Sequence, residues 1–284
     1  MKNTLLIILL MIFAPTNAQQ LEKSLLWKIS GKEIKQPSYL YATIHATCDV
    51  SLEDNVKLAL QKTSQLYLEL KLDDPALPSI MIANSNMKDG KKITDFINKD
   101  DYVILNKFFK ETIGFDLQQF QTTKPFFLSA ILISKLLDCP VKSIEEELMR
   151  ISSEQRKETY GLETIKEQID VMETIPYQYQ IGELVKSAKD NMREDKMEFN
   201  ELLKIYSSKD LSALLESTQK SSDQTIAKFD KTLLLDRNHN WIPRIEKIIN
   251  LKPTFIGVGA AHLAGEDGII QLWRKKGYIV EAIK

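Results

Sequence analysis

In the first part of the chain, segments with the hydrophobic pattern of a strand alternate with segments that have the pattern of a helix. Two short apolar runs, residues 25–29 and 39–44, predict a pair of strands. A helical pattern follows over residues 51–62, and alternating leucines over residues 66–70 then predict a strand with three leucines on one face. Strands that alternate with amphipathic helices are typical of helices packed on a sheet.

Helical periodicity dominates the middle of the chain. Residues 92–156 are predicted to be mostly helical, and a short strand is predicted at residues 160–162. Immediately afterwards, Thr164 and Glu167 have the T-x-x-E spacing of a capping box, which begins a helix. Glu163 is therefore expected at a junction between a strand and a helix.

The last part of the chain predicts a helical insertion followed by the end of the sheet. Glycine is absent from residues 183–256, which are rich in helix-forming residues, so an insertion is predicted at about residues 177–250. Strands are expected at residues 254–258 and 278–283, with a helix over 266–276 between them. The predicted fold class is mixed α/β (α+β), a central mixed β-sheet flanked by helices with a large helical insertion.

The N-terminus has the features of a cleavable secretory signal in their usual order. Lys2 precedes an apolar run over residues 5–14, and small residues follow up to Ala18. The run is well short of the about 20 residues that a membrane-spanning helix needs. We therefore predict that residues 1–18 are a signal peptide. Residues 19–284 are expected to be exported, to the periplasm or beyond, as one domain without a stable membrane anchor.

Charge and cysteine content narrow the class of protein. The sequence has 38 Lys and Arg against 39 Asp and Glu, which argues against a nucleic-acid binder, because such proteins carry an excess of basic residues. The two cysteines, Cys48 and Cys139, are able to pair in an oxidising compartment, so we predict a disulfide. Two unpaired buried cysteines are the alternative, because the sequence gives no distance between them.

Two of the three histidines follow predicted strands in similar surroundings. A small residue precedes each by three positions: Ala42 precedes His45, and Gly259 precedes His262. Neutral imidazole is a common ligand of Mn, Co and Zn, and strand ends are where α/β proteins tend to place their sites. Both histidines are therefore candidate metal ligands, with a purely structural role as the alternative. His239 is expected at the surface.

A hydrolytic metal site also needs a carboxylate, either as a ligand or as the base that activates water. Glu69 and Glu163 lie at the ends of predicted strands, so both are candidates for either role. The alternative for Glu69 is a solvated strand carboxylate, and for Glu163 a carboxylate favoured by the start of the following helix.

Arg237 and Asn238 are candidates for binding substrate. A fixed cation beside amide side chains is suited to hold a substrate carbonyl or to stabilise a developing oxyanion. The alternative is a polar junction between two helices before Pro243. The sequence contains no H-E-x-x-H, G-x-S-x-G, P-loop or C-x-x-C motif.

In this order, the segments resemble the TraB/GumN family, the Tiki-like proteins with paired G-x-x-H motifs. The similarity spans nearly the whole exported chain and rests on Y-A-T-I-H ending at His45, L-E-L around Glu69, G-L-E-T with Glu163 and Gln168, R-N with Trp241, and G-V-G-A-A-H-L from Gly257. It implies a mixed α/β fold in which the two histidine motifs meet in one cleft. Ala42 departs from the usual glycine, and a backbone that required positive φ there would be strained.

The resemblance also implies the roles of the candidate residues in metal-dependent peptide cleavage. His45 and His262 would be metal ligands or catalytic imidazoles. Glu69 and Glu163 would be the ligand and the general base, in an order that the sequence does not assign. Arg237 and Asn238 would position the substrate.

The predicted function is that of an exported hydrolase that uses a divalent metal, Mn, Co or Zn, to activate water against a peptide bond. One alternative is hydrolysis of an ester. A second is a protein of the same fold that binds a peptide or signalling molecule without cleaving it, and a third is an envelope structural protein. An envelope structural protein would leave the two histidines far apart, whereas an active site requires His45, Glu69, Glu163 and His262 to converge.

Overall fold

A computed structural model of the chain describes residues 21–284, so the predicted signal peptide lies outside the described residues. Six strands form one sheet: β1 Leu26–Ser30, β2 Ser38–Thr43, β3 Gln65–Leu68, β4 Thr159–Gly161, β5 Thr254–Gly259 and β6 Ile279–Ile283. Their order across the sheet is β4-β3-β5-β2-β1-β6. Strands β4, β3, β5 and β2 run parallel to one another, and β1 is antiparallel to both of its neighbours.

The α-helices surround this sheet and extend to one side of it. They are α1 Asp54–Gln61, α2 Leu77–Ala83, α3 Lys99–Thr112, α4 Pro125–Leu132, α5 Ile144–Glu154, α6 Ile165–Met172, α7 Tyr177–Asp190, α8 Arg193–Ser207, α9 Leu211–Lys220, α10 Thr225–Asp230, α11 Asp236–Leu251 and α12 Ile269–Lys275. This arrangement confirms the predicted fold class. Within the described residues, no helix is both long and apolar enough to cross a bilayer.

The main hydrophobic core lies on both faces of the sheet. Every position of β2 is buried, and so are five of the six positions of β5. Parallel strands covered on both faces are almost continuously apolar instead of alternating, which explains the uninterrupted apolar runs of the sequence. Trp27, Leu40 and Phe255 are fully buried in this core.

A second hydrophobic core forms among the helices, away from the sheet. It packs residues of α3 and α4 against α7, with Phe109, Leu128 and Ile181 all at 0% exposure. The helices that precede α5 therefore share a core with a helix that follows α6. The packing of α7 therefore joins the helical region predicted at residues 92–156 to the insertion predicted at about residues 177–250.

The predicted disulfide between Cys48 and Cys139 is confirmed, with Cα atoms 5.8 Å apart. Beside it, the backbones of Thr47 and Lys142 exchange two hydrogen bonds of 3.0 and 2.9 Å. Together these links hold the loop that follows β2 against the segment that precedes α5.

Local features agree with the sequence in one place and differ in two. The capping box of Thr164 and Glu167 begins α6 as predicted. Strand β3 ends at Leu68, so Leu70 is not part of it, and the Glu69 side chain that follows accepts hydrogen bonds from Arg237 and Gly259. Helix α11 continues through Pro243, so the alternative of a helix junction at that point is wrong.

Candidate active site

The sheet brings the ends of four parallel strands to the same edge. Thr43 of β2 pairs with Gly259 of β5, and Leu68 of β3 pairs with Gly257 on one side and with Gly161 of β4 on the other. The carboxyl ends of neighbouring parallel strands are where open α/β sheets bind their ligands. The residues that follow these strand ends are the four predicted for metal chemistry: His45, Glu69, Glu163 and His262.

Three of these side chains meet around Gly259. A Cβ atom on this residue would lie 3.1 Å from Oε1 of Glu69, 3.6 Å from Nε2 of His45 and 3.7 Å from Cδ2 of His262. The Gly259 amide also donates a hydrogen bond of 2.8 Å to Oε1 of Glu69. Its φ of −50° is available to any residue. Glycine therefore leaves room here for the Glu69 carboxylate, which a methyl group would displace by a few tenths of an ångström.

A cavity of about 410 Å³ opens beside His45 and Glu69. Its polar lining includes His45, Glu69, Glu145, Gln168 and Arg237, and its apolar lining includes Leu70, Leu72, Val171, Met172 and Leu233. This volume lies within the range of small-molecule and peptide side-chain sites, which are mostly apolar with a few convergent polar groups.

His45 is oriented by Glu145, at the start of α5. Nδ1 of His45 lies 2.7 Å from Oε1 of Glu145, and the Thr43 hydroxyl donates to the same oxygen at 2.6 Å. The imidazole is 66% exposed on the cavity side. Partial burial lowers the pKa of His45, but the hydrogen bond and charge of Glu145 outweigh this effect and raise the pKa to about 9. Nε2 is left facing Glu69.

His262 is held in the interior by Asn238. The Asn238 amide donates to the carbonyls of His262 and Asp267 at 3.1 and 2.9 Å, so its oxygen faces Nδ1 of His262 at 2.7 Å. Nδ1 therefore carries the proton, as the hydrogen-bond network assigns it. Burial lowers the pKa of His262 to about 3, and the charges of Arg237 and His45 act in the same direction. The ring is neutral.

Arg237 connects the two glutamates. Its Nη2 donates at 2.6 Å to Oε2 of Glu69 and at 2.6 Å to Oε1 of Glu163. The Trp241 indole donates to Oε2 of Glu163 at 3.0 Å, and the Arg237 guanidinium lies over the Trp241 ring. Both oxygens of Glu163 therefore accept hydrogen bonds from side chains, whereas Oε1 of Glu69 accepts one from the Gly259 amide and lies 3.8 Å from Nε2 of His262.

The charges around Glu69 keep it ionised. Burial raises the pKa of Glu69, but the charges of His262, Arg237 and His45, with the Gly259 amide, outweigh it and lower the pKa to about 2. The centre therefore combines a carboxylate with two imidazoles whose pKa values shift in opposite directions, up at His45 and down at His262. This split between two histidines follows from their partners, a carboxylate for His45 and an amide for His262.

The donor set fits a divalent metal in chemistry but not in its present spacing. Among residues 21–284, no three His, Cys, Asp or Glu side chains are gathered closely enough to share an ion. Each histidine nevertheless has its Nδ1 bound to an outer partner, Glu145 or Asn238, which is the usual arrangement of metal-ligating imidazoles. Nη1 of Arg237 lies 3.1 Å from Nε2 of His262, so an ion would have to displace that contact.

Glu145 is a residue that sequence reasoning missed. It stands in a run of three consecutive glutamates in the first turn of α5, where acidic residues are favoured by the helix dipole and attract no notice. The disulfide was the available signal. Cys48 is three residues after His45 and Cys139 is six before Glu145, so pairing the cysteines brings this helix start to the histidine.

The remaining sequence predictions concern Ala42 and His239. Ala42 is buried in extended backbone in β2, and it is not among the residues with positive φ, so the condition under which alanine would be strained there is not met. Its carbonyl accepts a hydrogen bond from the Tyr206 hydroxyl at 2.8 Å. His239 is exposed as predicted, with its ring 3.2 Å from Asp267.

Comparison with known proteins finds relatives among the Tiki metalloproteases. The chain is 23% identical to "Metalloprotease TIKI1" of Danio rerio, over 94% of this chain and 64% of the relative. It is 22% identical to "Metalloprotease TIKI1" of Homo sapiens, over 91% and 61%, and 18% identical to "Metalloprotease TIKI2" of Danio rerio, over 91% and 60%. The chain thus spans less than two thirds of these relatives. No solved structure matches it.

The family comparison covers almost the whole described chain. The sequence pattern of the TraB/PrgY/gumN family matches residues 25–282, which begin one residue before β1, end within β6 and include both histidine motifs. This match shows that the chain belongs to the TraB/PrgY/gumN family, as its paired histidine motifs predicted.

Proposed function

We propose that this protein is an exported, divalent-metal-dependent hydrolase that cleaves a peptide bond. The observation that carries the proposal is the convergence of Nε2 of His45, Oε1 of Glu69 and the His262 ring around Gly259. Two imidazoles and a carboxylate are a common donor set of hydrolytic metal sites. The relatives named metalloprotease support the same class of reaction.

The proposed roles follow the hydrogen bonds. His45, Glu69 and His262 would hold a Mn, Co or Zn ion, which supplies a Lewis acid and lowers the pKa of water. Glu145 and Asn238 would position the two imidazoles. This gives Asn238 a positioning role, in place of direct contact with substrate.

Arg237 and Glu163 would act on the substrate side. The Arg237 guanidinium lines the cavity and is able to stabilise a carbonyl oxygen as it becomes negatively charged. Glu163 is buried and bound to Arg237 and Trp241, so we propose that it positions the arginine. Glu69 would then serve as ligand or base, since one of its oxygens faces the histidines.

A peptide suits the cavity, and an exported location suits the chain. The cavity has polar groups on one side and apolar side chains such as Leu72, Met172 and Leu233 on the other, which would accept a peptide backbone with an apolar side chain. A disulfide at Cys48 fits an oxidising compartment, in agreement with the signal peptide predicted at residues 1–18.

The proposal is tested by incubating the purified protein with a peptide library and detecting new termini by mass spectrometry. Cleavage is expected with Mn, Co or Zn and is expected to stop after chelation. His45→Ala, Glu69→Gln and His262→Ala should each lower the rate by about 100-fold or more, the scale of losing a catalytic group. His239→Ala is the matched control, because this histidine is exposed outside the cavity.

Each other outcome contradicts the proposal in a definite way. Intact peptides retained on the protein would indicate binding without cleavage. Turnover of an ester without any cleavage of the amide of identical sequence would indicate an esterase. Full activity in the chelated protein would show that no metal is needed. Equal losses for His239→Ala and His262→Ala would show that His262 is not part of the active centre.

A further inference from the structure

A second cavity lies among the helices, away from the sheet edge. It has a volume of about 490 Å³, is bordered by α4, α7, α8, α9 and α10, and shares no lining residue with the active-site cavity. Its walls are mainly apolar and include Leu132, Leu184, Phe199 and Ile226. A concave apolar site of this size is suited to a small organic molecule.

The cavity has an excess of negative charge. One lysine, Lys220, lines it, and this side chain forms an ion pair with Glu216, which is not a lining residue. Five acidic residues line the cavity: Glu183, Asp195, Glu198, Glu201 and Asp223. Carboxylates among apolar walls are costly unless a cation or hydrogen-bond donors compensate them.

Two of these acids are compensated by neighbouring residues. Glu198 accepts hydrogen bonds from the Ser221 hydroxyl at 2.6 Å and the Ser222 amide at 2.9 Å. Glu201 pairs with Lys204 at 3.1 Å. Glu198 and Glu201 therefore have protein partners for their charge and do not need a bound ligand to supply one.

Asp195 and Glu183 form no ion pair among the described residues, although the Ser187 hydroxyl near Asp195 and the Tyr179 hydroxyl near Glu183 favour their charged forms. Oδ2 of Asp195 is shielded from solvent and has no hydrogen-bond partner among the described residues. Burial raises the pKa of Asp195 and of Glu183, and the charge of Asp223 adds to both shifts. Lys186, the lysine that acts on both groups, donates instead to the Ser222 carbonyl.

We propose that this cavity binds an organic cation with an apolar body, whose ammonium group lies against Asp195 and Glu183. The apolar body would cover walls such as Phe199, and the cation would supply the charge that the two carboxylates lack. An organic anion would be repelled by the same groups. A small inorganic cation would leave the apolar walls uncovered.

The test is calorimetric titration of the purified protein with octyltrimethylammonium, below its micelle concentration. Octanoate is the matched anion, and tetramethylammonium is the cation without the apolar body. We expect one octyltrimethylammonium to bind per chain and both other probes to bind at least about tenfold more weakly, the scale of one partly screened charge pair.

Three variants complete the test. Asp195→Asn should weaken binding about tenfold and should fold, because it replaces an uncompensated carboxylate with a neutral amide of the same shape. Ser217→Phe, which adds a ring to the cavity lining, should block binding. Asp170→Asn, on the exposed face of α6, should bind like the parent.

Octanoate binding as tightly as octyltrimethylammonium would overturn the proposal, because the cavity would then select only for apolar bodies. Equal weakening by Asp170→Asn and Asp195→Asn, or no binding heat from octyltrimethylammonium, would also overturn it. Circular dichroism of each variant checks that the fold is retained. The outcome is independent of peptide cleavage at His45 and Glu69.

Discussion

Nδ1 of His45 and Oε1 of Glu145 lie 2.7 Å apart, joining the loop after β2 to the first turn of α5. The other oxygen of Glu145 accepts a hydrogen bond from the Ser143 hydroxyl at 2.6 Å. The Ser143 hydroxyl therefore helps to hold the Glu145 carboxylate in the position from which it contacts the imidazole. As a result, Nε2 of His45 is held towards Glu69.

This contact predicts that Glu145 controls metal affinity without being a ligand. Glu145→Gln should weaken Mn, Co or Zn binding by roughly 10–100-fold, the usual cost of removing an outer partner from a metal-bound histidine. Competition against a chelator of known affinity measures the change. Glu146→Gln, at the exposed neighbouring position, is the control. Equal affinities for the two variants would show that Glu145 does not act on the site.

The two small residues before the histidines should respond differently to substitution. Gly259→Ala should abolish most metal binding and activity, because its methyl group would lie 3.1 Å from Oε1 of Glu69. Ala42→Gly should retain activity and lose about 0.5–1 kcal/mol of stability, the backbone entropy cost of glycine in a strand.

Chemical denaturation and the peptide assay together measure both effects. Gly182→Ala is the control, since no atom lies within 4 Å of its added methyl group and alanine favours the helix by about 1 kcal/mol. Activity in Gly259→Ala close to that of Gly182→Ala would mean that the space around Gly259 is not needed.

The disulfide should contribute both stability and placement of His45. It closes a loop with a sequence separation of 91, so Cys48→Ser with Cys139→Ser should cost about 4–5 kcal/mol by the loop-entropy argument. The melting temperature should fall by roughly 10–15 °C for a domain of this size. Calorimetry of the variant and of the reduced parent should agree. A reduced parent that melts with the oxidised one would contradict the prediction.

The ion pair of Glu167 and Arg244 should make stability depend on pH in the acid range. The hydrogen bond from Arg244 is the main cause that lowers the pKa of Glu167 to about 2. As pH falls, the unfolded chain binds a proton first, so this contribution is complete above about pH 4.5 and is lost as pH approaches 2.

Urea unfolding of Glu167→Gln at several pH values tests this dependence. The variant should be less stable than the parent at neutral pH, and the difference should shrink between about pH 5 and pH 2. Both side chains are about 40% exposed, so the effect is moderated by solvent screening. Asp170→Asn, which breaks an exposed pair with Lys166, is the control and should show a smaller pH dependence. A constant difference between parent and Glu167→Gln would contradict the assignment.

The sequence by itself determined most of the elements, the fold class and most of the residues of the candidate site. Apolar periodicity records which face of each element is buried, so the strands and the capping box of Thr164 were predictable from local pattern. The motifs ending at His45 and His262 were visible for the same reason, because a strand end and a small residue are local features.

Only the tertiary structure decided which of these residues touch. The parallel pairing of β2 with β5 brings His45 to Gly259, and strand order is not written in the periodicity of either strand. The selection of Glu145 from three adjacent glutamates depends on where α5 begins relative to the disulfide, about 100 residues after His45 in the chain. Local patterns report burial along one element, whereas side-chain partners depend on register and packing between elements, which are set when the whole core assembles.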